Sequence, residues 1–427
     1  MRRGVALAAL AAALLPCSWS PAEADEKEKS WDLGGRTAVR ALGTSYPDDS
    51  LYRDLAGSTS RDYSFDGRVV FGAHAGNWDF KSDYQLIALY GDRVSMTRNL
   101  PDELQALFGR LPNDDRRWFD LTHVFEDDGK FAALQRLDRL SVGYTVEKGV
   151  VRFGRQAITW GNGMIYTPMD IFNPFDPAAV DREFKNGDDM LYGQFLRDNG
   201  DDAQGVTVFR RDLVTGDVEA DQSSIAGKYH GMLGPGEYDA LLAQHFGDLL
   251  VGAGGNVSLG GAVWRGDLVL SSTDDEGAVA SGVTSLSYSW IWGGKNVSGV
   301  LEYFYSGFGQ GADDYSPESL ANNRELLERV ARGELFTLGR HYLAASAMIE
   351  ITPLFLLTPN LFTNVADPSG IVQIVTRNDL KQDLVLLGAL NLPWGAAGSE
   401  YGGIDTGVPG RYLSSGPAIF VQLNWYF

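Results

Sequence analysis

Leu286-Ser287-Tyr288-Ser289-Trp290-Ile291-Trp292 puts its large apolar side chains on one parity and small hydroxyls on the other. Leu286, Tyr288, Trp290 and Trp292 share one face and Ser285, Ser287 and Ser289 the opposite one, which is the period of a β-strand between two unlike media. Gly293-Gly294-Lys295-Asn296 then reverses the chain. Beyond it, Val297, Leu301, Tyr303 and Tyr305 continue the apolar face while Ser298, Glu302 and Ser306 continue the polar one. The alternation recurs at Val69, Phe71 and Ala73, at Leu140, Val142, Tyr144 and Val146, and at Leu343, Ala345, Ala347 and Ile349. Arg68, His74, Ser141, Thr145, Ser346 and Glu350 take the polar side. An apolar, aromatic-edged outside and a wet inside are what a β-barrel in lipid requires.

The two ends of the chain carry matching signals. Ile419, Val421, Leu423, Trp425 and Phe427 share one parity, so the last strand is amphipathic and ends on an aromatic residue. It resembles the C-terminal signal by which outer-membrane barrels are recognised for assembly, with Leu423, Trp425 and Phe427 as its apolar residues. At the start, Arg2 and Arg3, an apolar run from Val5 to Leu15 and the small-residue site Ala22-Glu23-Ala24 predict a secretory signal over 1–24 and a barrel over 25–427. A lipoprotein reading would use Cys17, but Pro16 before it fits such a site poorly. Cys17 is the single cysteine, so the barrel itself has no disulfide or thiolate chemistry. No later apolar run reaches the ~18 residues of a membrane helix, and lipid-facing backbone must then close into a barrel. A formal charge of −20 argues against nucleic acid as a partner. The expected partners are outer-membrane lipid, the barrel-assembly machinery and an unidentified solute.

Candidate strands number roughly 17, and a bacterial barrel needs an even count, so the expectation is an all-β antiparallel transmembrane barrel of about 16 strands, with 14 or 18 as neighbours. The doubt falls between Asp189 and Gly254, where Asp198-Asn199-Gly200-Asp201-Asp202 reads as a turn or a bulge. Leu100 to Arg136, polar and with short helix-like pieces, and Ser316 to Leu335, a loop helix, read as long loops without strands, of a sort that belongs mostly on the extracellular side. The acidic clusters Asn113-Asp114-Asp115, Glu126-Asp127-Asp128 and Asp274-Asp275-Glu276 read as solvated loop tips.

The densest segment follows the tight turn Glu147-Lys148-Gly149. A strand from Val150 to Gly161 opens into a stretch holding Pro168, Pro174 and Pro177, which fix backbone angles and remove donors. So apolar a loop is expected to fold against the inner wall, with Phe172 and Phe175 packed and Asp170, Asn173 and Asp176 toward the lumen. Gly154, Arg155, Gln156, Trp160, Gly161, Pro168, Asp170, Asn173, Pro174, Asp176 and Pro177, followed by Arg182, Glu183 and Asp188-Asp189, resemble a signature of porin-like outer-membrane barrels near the alginate-export type. The resemblance covers about 35 residues of 427. It implies passage or export of small or polymeric solutes.

The lumen or constriction residues nominated are Arg152, Arg155, Gln156, Trp160, Asp170, Asn173, Asp176, Arg182 and Lys185. Strict parity would put Arg155 beside Phe153 against lipid; a bulge at Gly154 would turn it inward to pair with Asp170 or Asp176, and otherwise it snorkels to the interface. The five histidines His74, His123, His230, His245 and His341 show no metal-helix spacing and no motif beside a nucleophile, so neither an enzyme nor a metal or other cofactor is expected. The glycine runs at Gly252 to Gly255 and Gly260-Gly261 read as barrel kinks. A solute channel narrowed by the proline-rich loop is the leading reading. A non-conducting barrel that binds surface polymer or a partner protein is the alternative, and uptake of hydrophobic compounds would need an apolar plug that Asp25 to Ser30 does not supply. The acidic excess favours cations; Arg152, Arg155, Arg182, Lys185, Arg197, Arg210 and Arg211 favour an anion.

Overall fold

The alternation read along the sequence becomes an inside and an outside in a computed structural model, which describes residues 29–99, 111–273, 276–311 and 314–427. The expected leader and Asp274-Asp275 lie outside the described residues. Strands β1 (Lys29–Ser45), β2 (Thr59–Ala75), β3 (Trp78–Gly91), β4 (Thr122–Asp128), β5 (Phe131–Val146), β6 (Gly149–Gln156) and β7 (Asp188–Leu196) come first. There follow β8 (Asp202–Val208), β9 (Ser224–Leu233), β10 (Gly236–His245), β11 (Asp248–Leu259), β12 (Ala262–Thr273), β13 (Gly277–Trp292) and β14 (Lys295–Ser306). The last are β15 (His341–Thr352), β16 (Phe355–Asn364), β17 (Ser369–Lys381), β18 (Leu384–Trp394), the small β19 (Ile404–Asp405) and β20 (Tyr412–Leu413), and β21 (Ala418–Tyr426). Each wall strand pairs antiparallel with its neighbours, and β21 returns to β1 from Tyr426 against Arg36 to Ala418 against Thr44. The ring closes on 18 strands, because Asp198 to Asp201 is a genuine turn between β7 and β8. That is the upper of the neighbouring counts expected from sequence.

Trp31 and Leu33 are 64 % and 60 % exposed on the outer face, whereas Arg36 and Arg68 are 3 % and 2 % exposed within. Aromatic pairs such as Trp78 with Tyr144, Tyr288 with Trp290 and Trp425 with Phe427 ring one end of the barrel, as at a membrane interface. That end also holds Lys29, Phe427 and the tight turns, for example Gly76-Asn77 and Gly293-Gly294. The long connections gather at the other end, with helices α1 (Leu51–Ala56), α2 (Asp92–Asn99), α3 (Pro317–Ala321) and α4 (Arg324–Arg332). The last two bear out the helical loop expected at Ser316 to Leu335.

Between Leu100 and Arg136, of which residues 100–110 lie outside the described residues, the expectation of a segment without strands, carrying short helix-like pieces, needs correction over its second half. β6, β7 and β8 are only 8, 9 and 7 residues long and leave the Phe131 to Arg136 edge of β5 bare. β4 pairs with that edge from Thr122 opposite Arg136 to Asp128 opposite Phe131, filling the notch. Almost wholly exposed to water, β4 has no need of an apolar face.

Candidate functional site

Residues 157–187, between β6 and β7, carry neither helix nor strand, and their hydrogen bonds run round the inner wall. Trp160 Nε1 donates to Gln204 on β8 at 2.7 Å. Asn162 Nδ2 reaches Asp239 on β10 and Asp267 on β12 at 2.9 and 2.8 Å. The N–H groups of Met164, Ile165 and Tyr166 converge on the Glu302 carboxylate of β14 at 2.8, 3.1 and 2.6 Å, a backbone nest closed round an anion. Tyr166 stacks on Phe304 with ring centroids 4.7 Å apart.

Farther along, Gln373 of β17 donates to Ala178 O at 2.8 Å. Asp181 accepts from Arg36 and Arg40 of β1 and Gln422 of β21 at 2.8, 2.9 and 2.9 Å. Glu183 takes Arg36 and Tyr426 at 2.9 and 2.8 Å. The Arg68 guanidinium of β2 lies 4.2 Å from the Phe184 ring centroid, and Arg136 of β5 donates to Asn186 at 3.0 Å. In chain order these anchors fall on β8, β10, β12, β14, β17, β21, β1, β2 and β5, one full circuit of the ring. The segment is a belt laid against the wall.

One excursion leaves the belt. After Tyr166 the chain doubles back, and Met169, Ile171 and Phe172 join Trp160 in an apolar cluster with Met190, Val208, Leu241 and Leu250. Gly254 makes the room: a Cβ there would stand 2.1 Å from Asp267 Oδ1 and 3.0 Å from Met169 Sδ. The glycine run read as a kink is a seat for the belt. From Phe172, against His245 of β10, the chain reaches Ala178 at β17, seven strands away. Residues 173–177, with Pro174 and Pro177, link these two places on the wall as a short proline bar.

The nominated residues divide between belt and wall. Asp170 pairs with Lys185 at 2.6 Å, and Lys185 Nζ also donates to Ile158 O at 2.6 Å, so this ion pair clips the two limbs of the excursion together. Asp176 accepts from Ala178 N–H at 2.8 Å, Arg182 donates to Pro177 O and Ala179 O, and Asn173 holds a left-handed φ of 52°. Arg152 meets Asp79 at 3.3 Å, and Gln156 donates to Arg152 O at 3.3 Å. Phe172 is buried as expected, while Phe175 is only partly so.

Arg155 overturns the expectation set for it. The β5–β6 and β6–β7 registers run through Gly154 without a slip, so no bulge turns Arg155 inward. It keeps the outward parity, yet protein covers it in place of lipid: residues of the 113–121 segment fold over it. Arg155 grips Asp189 at 2.9 Å and Asp114 at 2.9 Å, donates to Phe119 O at 2.6 Å, and is 1 % exposed. Neither Asp170 nor Asp176 touches it. Asp114, expected at a solvated tip, is buried; burial raises its pKa, but Arg155 and Arg117 outweigh this and hold the carboxyl below its ordinary value.

Sequence reading missed the anchors Asp239, Asp267, Asp181 and Arg36, and saw Glu302 only as an inward acid. A lone acid on the polar parity of a strand was the available signal. The fold also joins Ser224, His245 and Glu334: Ser224 Oγ lies 2.8 Å from His245 Nδ1, and His245 Nε2 lies 3.3 Å from Glu334. The serine is 3 % exposed and accepts from Arg210 at 2.7 Å, which makes the chain of contacts a tie between the wall and the loop beyond α4.

Two cavities flank the belt. On the long-loop side, one of about 800 Å3 is floored by Ile171, Asn173, Asp176 and Asp188 and roofed by α4. Toward the tight-turn end, one of about 280 Å3 lies between Arg152, Gln156, Tyr192 and Gln204.

No protein-family model and no characterised protein matches the sequence. Solved structures share the fold. OccAB4 of Acinetobacter baumannii superposes with a TM-score of 0.53 at 8% identity over 94% of this chain and 98% of its own. OccAB2 of the same organism gives 0.52 at 9% identity over 93% and 98%. OccK8 (OprE) of Pseudomonas aeruginosa gives 0.50 at 8% identity over 93% and 97%. Identities this low carry the fold, and the fold is that of porin-like β-barrels of the Gram-negative outer membrane.

Proposed function

We propose that this chain is an outer-membrane solute channel whose passage is set by the 157–187 belt and its proline bar. The observation that carries the reading is the belt's circuit: polar and charged anchors from β8 round to β5 hold one segment against the wall, which narrows a lumen without relying on a mobile loop. Belt and bar enter from the long-loop end, extracellular in barrels of this kind. Solutes would meet the larger cavity first and then pass beside the bar to the smaller one. A non-conducting binding barrel is the second reading, and the bar from β10 to β17 is what favours it, since a link between two distant places on the wall can also seal a lumen. Reconstitution of the purified protein into planar bilayers separates them. Discrete ohmic steps, enlarged when residues 173–177 are replaced by a short glycine-serine linker, support the channel; no steps from correctly folded protein support the sealed barrel.

A further inference from the structure

We infer that the smaller cavity, at the tight-turn end, binds a single uncharged sugar ring or similar polyol through Tyr192, Gln156 and Gln194. Three adjacent strands build it from their inward parity: Arg152 of β6 stands opposite Tyr192 of β7, and Gln194 of β7 opposite Gln204 of β8. Val150 and the start of the belt, Ala157 to Trp160, supply the rest of the lining. At about 280 Å3 it sits just under the roughly 300–1,000 Å3 of drug-sized sites, which suits one ring rather than a chain of them.

The hydrogen bonds leave a mixed set of polar atoms free. Tyr192 and Gln156 are 8 % and 6 % exposed, and among the described residues nothing bonds the Tyr192 hydroxyl. Gln156 directs its NH2 to Arg152 O at 3.3 Å and Met190 O at 3.5 Å, so its carbonyl oxygen has no donor. Asp202 accepts from Gln194 Nε2 at 3.3 Å and Gln204 Nε2 at 2.8 Å, which sets both amides and leaves the Gln194 carbonyl oxygen without a donor. Buried polar atoms without partners are costly, and a ligand that completes them recovers that cost. The charges select against ions. Among the described residues Arg152 is the single cation lining the cavity, Asp79 already meets it at 3.3 Å, and no carboxylate lines the space. A carboxylate entering would face the two free carbonyl oxygens, and an ammonium would lie beside Arg152; each would also lose its water. A sugar hydroxyl both donates and accepts, so it can donate to a glutamine oxygen and accept from Tyr192.

The inference rests on the channel reading for the solute's route and deepens it by naming a solute class, and it is tested by binding so that the two can fail separately. Saturation-transfer NMR on the full-length barrel, in a detergent without a sugar headgroup, would titrate D-glucose, D-glucuronate and D-glucosamine. Glucose should bind most tightly and keep its affinity at high salt. Tyr192→Phe removes only the free hydroxyl, so it should weaken glucose binding about three- to tenfold, the loss of one neutral hydrogen bond. Gln194→Met, which keeps the length and drops the amide, should do the same and serves if Tyr192→Phe lacks heat-modifiable migration. Arg324→Gln, on the exposed side of α4, should bind as wild type. Absence of binding by folded protein, glucuronate or glucosamine binding as tightly as glucose, or unchanged affinity in both cavity variants would overturn the site. Conductance without binding would overturn it too and leave the channel; binding without conductance would leave the site and remove the channel.

Discussion

Glu302→Gln tests whether the belt is held where the hydrogen bonds put it. In the native protein one carboxylate receives three consecutive amides at 2.8, 3.1 and 2.6 Å, with Tyr166 stacked on Phe304 directly behind. Glutamine retains one acceptor oxygen and turns an NH2 toward the same donors, so at least one charge-assisted bond is lost, about 2–3 kcal/mol. If that free energy holds the belt closed, its amides should exchange roughly 30- to 150-fold faster, at 1.4 kcal/mol per tenfold. Hydrogen-exchange mass spectrometry on the detergent-solubilised barrel reads this directly. Peptides covering 160–170 should lose protection while those of β13 and β15 keep theirs, since their ladder bonds do not involve the side chain. Unchanged exchange in 160–170 with the barrel intact would refute the anchoring role of Glu302. Equal loss in the belt and both strands would show that Glu302 supports the wall instead.

Arg155→Ala leaves buried Asp189 with no cation, holding only the Phe119 N–H, and takes one of two arginines from Asp114; it should destabilise the wall by about 3–5 kcal/mol, seen as a lower temperature for the heat-modifiable gel shift, with faster exchange at 113–128. Wild-type migration would count against that cluster. Gly35 faces the terminal aromatic, and a Cβ there would stand 2.6 Å from the Phe427 ring and 2.3 Å from Arg68 O. Gly35→Val should therefore impair closure of the β1–β21 seam, and normal recovery of folded barrel from the outer-membrane fraction would contradict this. Burial raises the pKa of Glu400 to about 7, even though Tyr342, the Leu338 N–H and Asn364 all donate to it. A raised carboxyl favours the fold when protonated, so its contribution is fully present below about pH 4.5 and is lost as pH rises through about 7. Exchange corrected for intrinsic rates should quicken at 338–342 and 395–403 between those values, and Glu400→Gln should flatten that dependence; an unaltered pH profile in the variant would remove Glu400 as its source.

Lipid makes the wall legible. Trp290 and Leu286 must face out and Ser285 in, so a period of two survives wherever a strand crosses the bilayer. It fails where protein or water replaces lipid. β4 stands in water and shows no apolar face, and the inner face of β5 carries Arg136 and Asp138 where a simple alternation would have smaller groups. Arg155 was unreadable for the same reason: its outward position is covered by a segment whose key acid, Asp114, lies 41 residues away. The proline loop was recognisable as ordered and inward, but its circuit was not, since Asn162 and Asp181 find partners 77 and 241 residues distant.

Asp181 has a consequence for the order of assembly. It bonds at once to Arg36 of the first strand and Gln422 of the last, contacts 145 and 241 residues apart in the chain, so it bridges the seam from within. Contacts of such separation form late, because loop closure must precede them. A nascent sheet whose belt has not yet docked lacks this bond on both sides of its open edge, and one whose belt has docked presents β1 and β21 already drawn toward a common carboxylate. Zipping of the final pair and seating of the belt are thereby coupled into a single step, and a chain that seals its seam does so with its lumen already furnished.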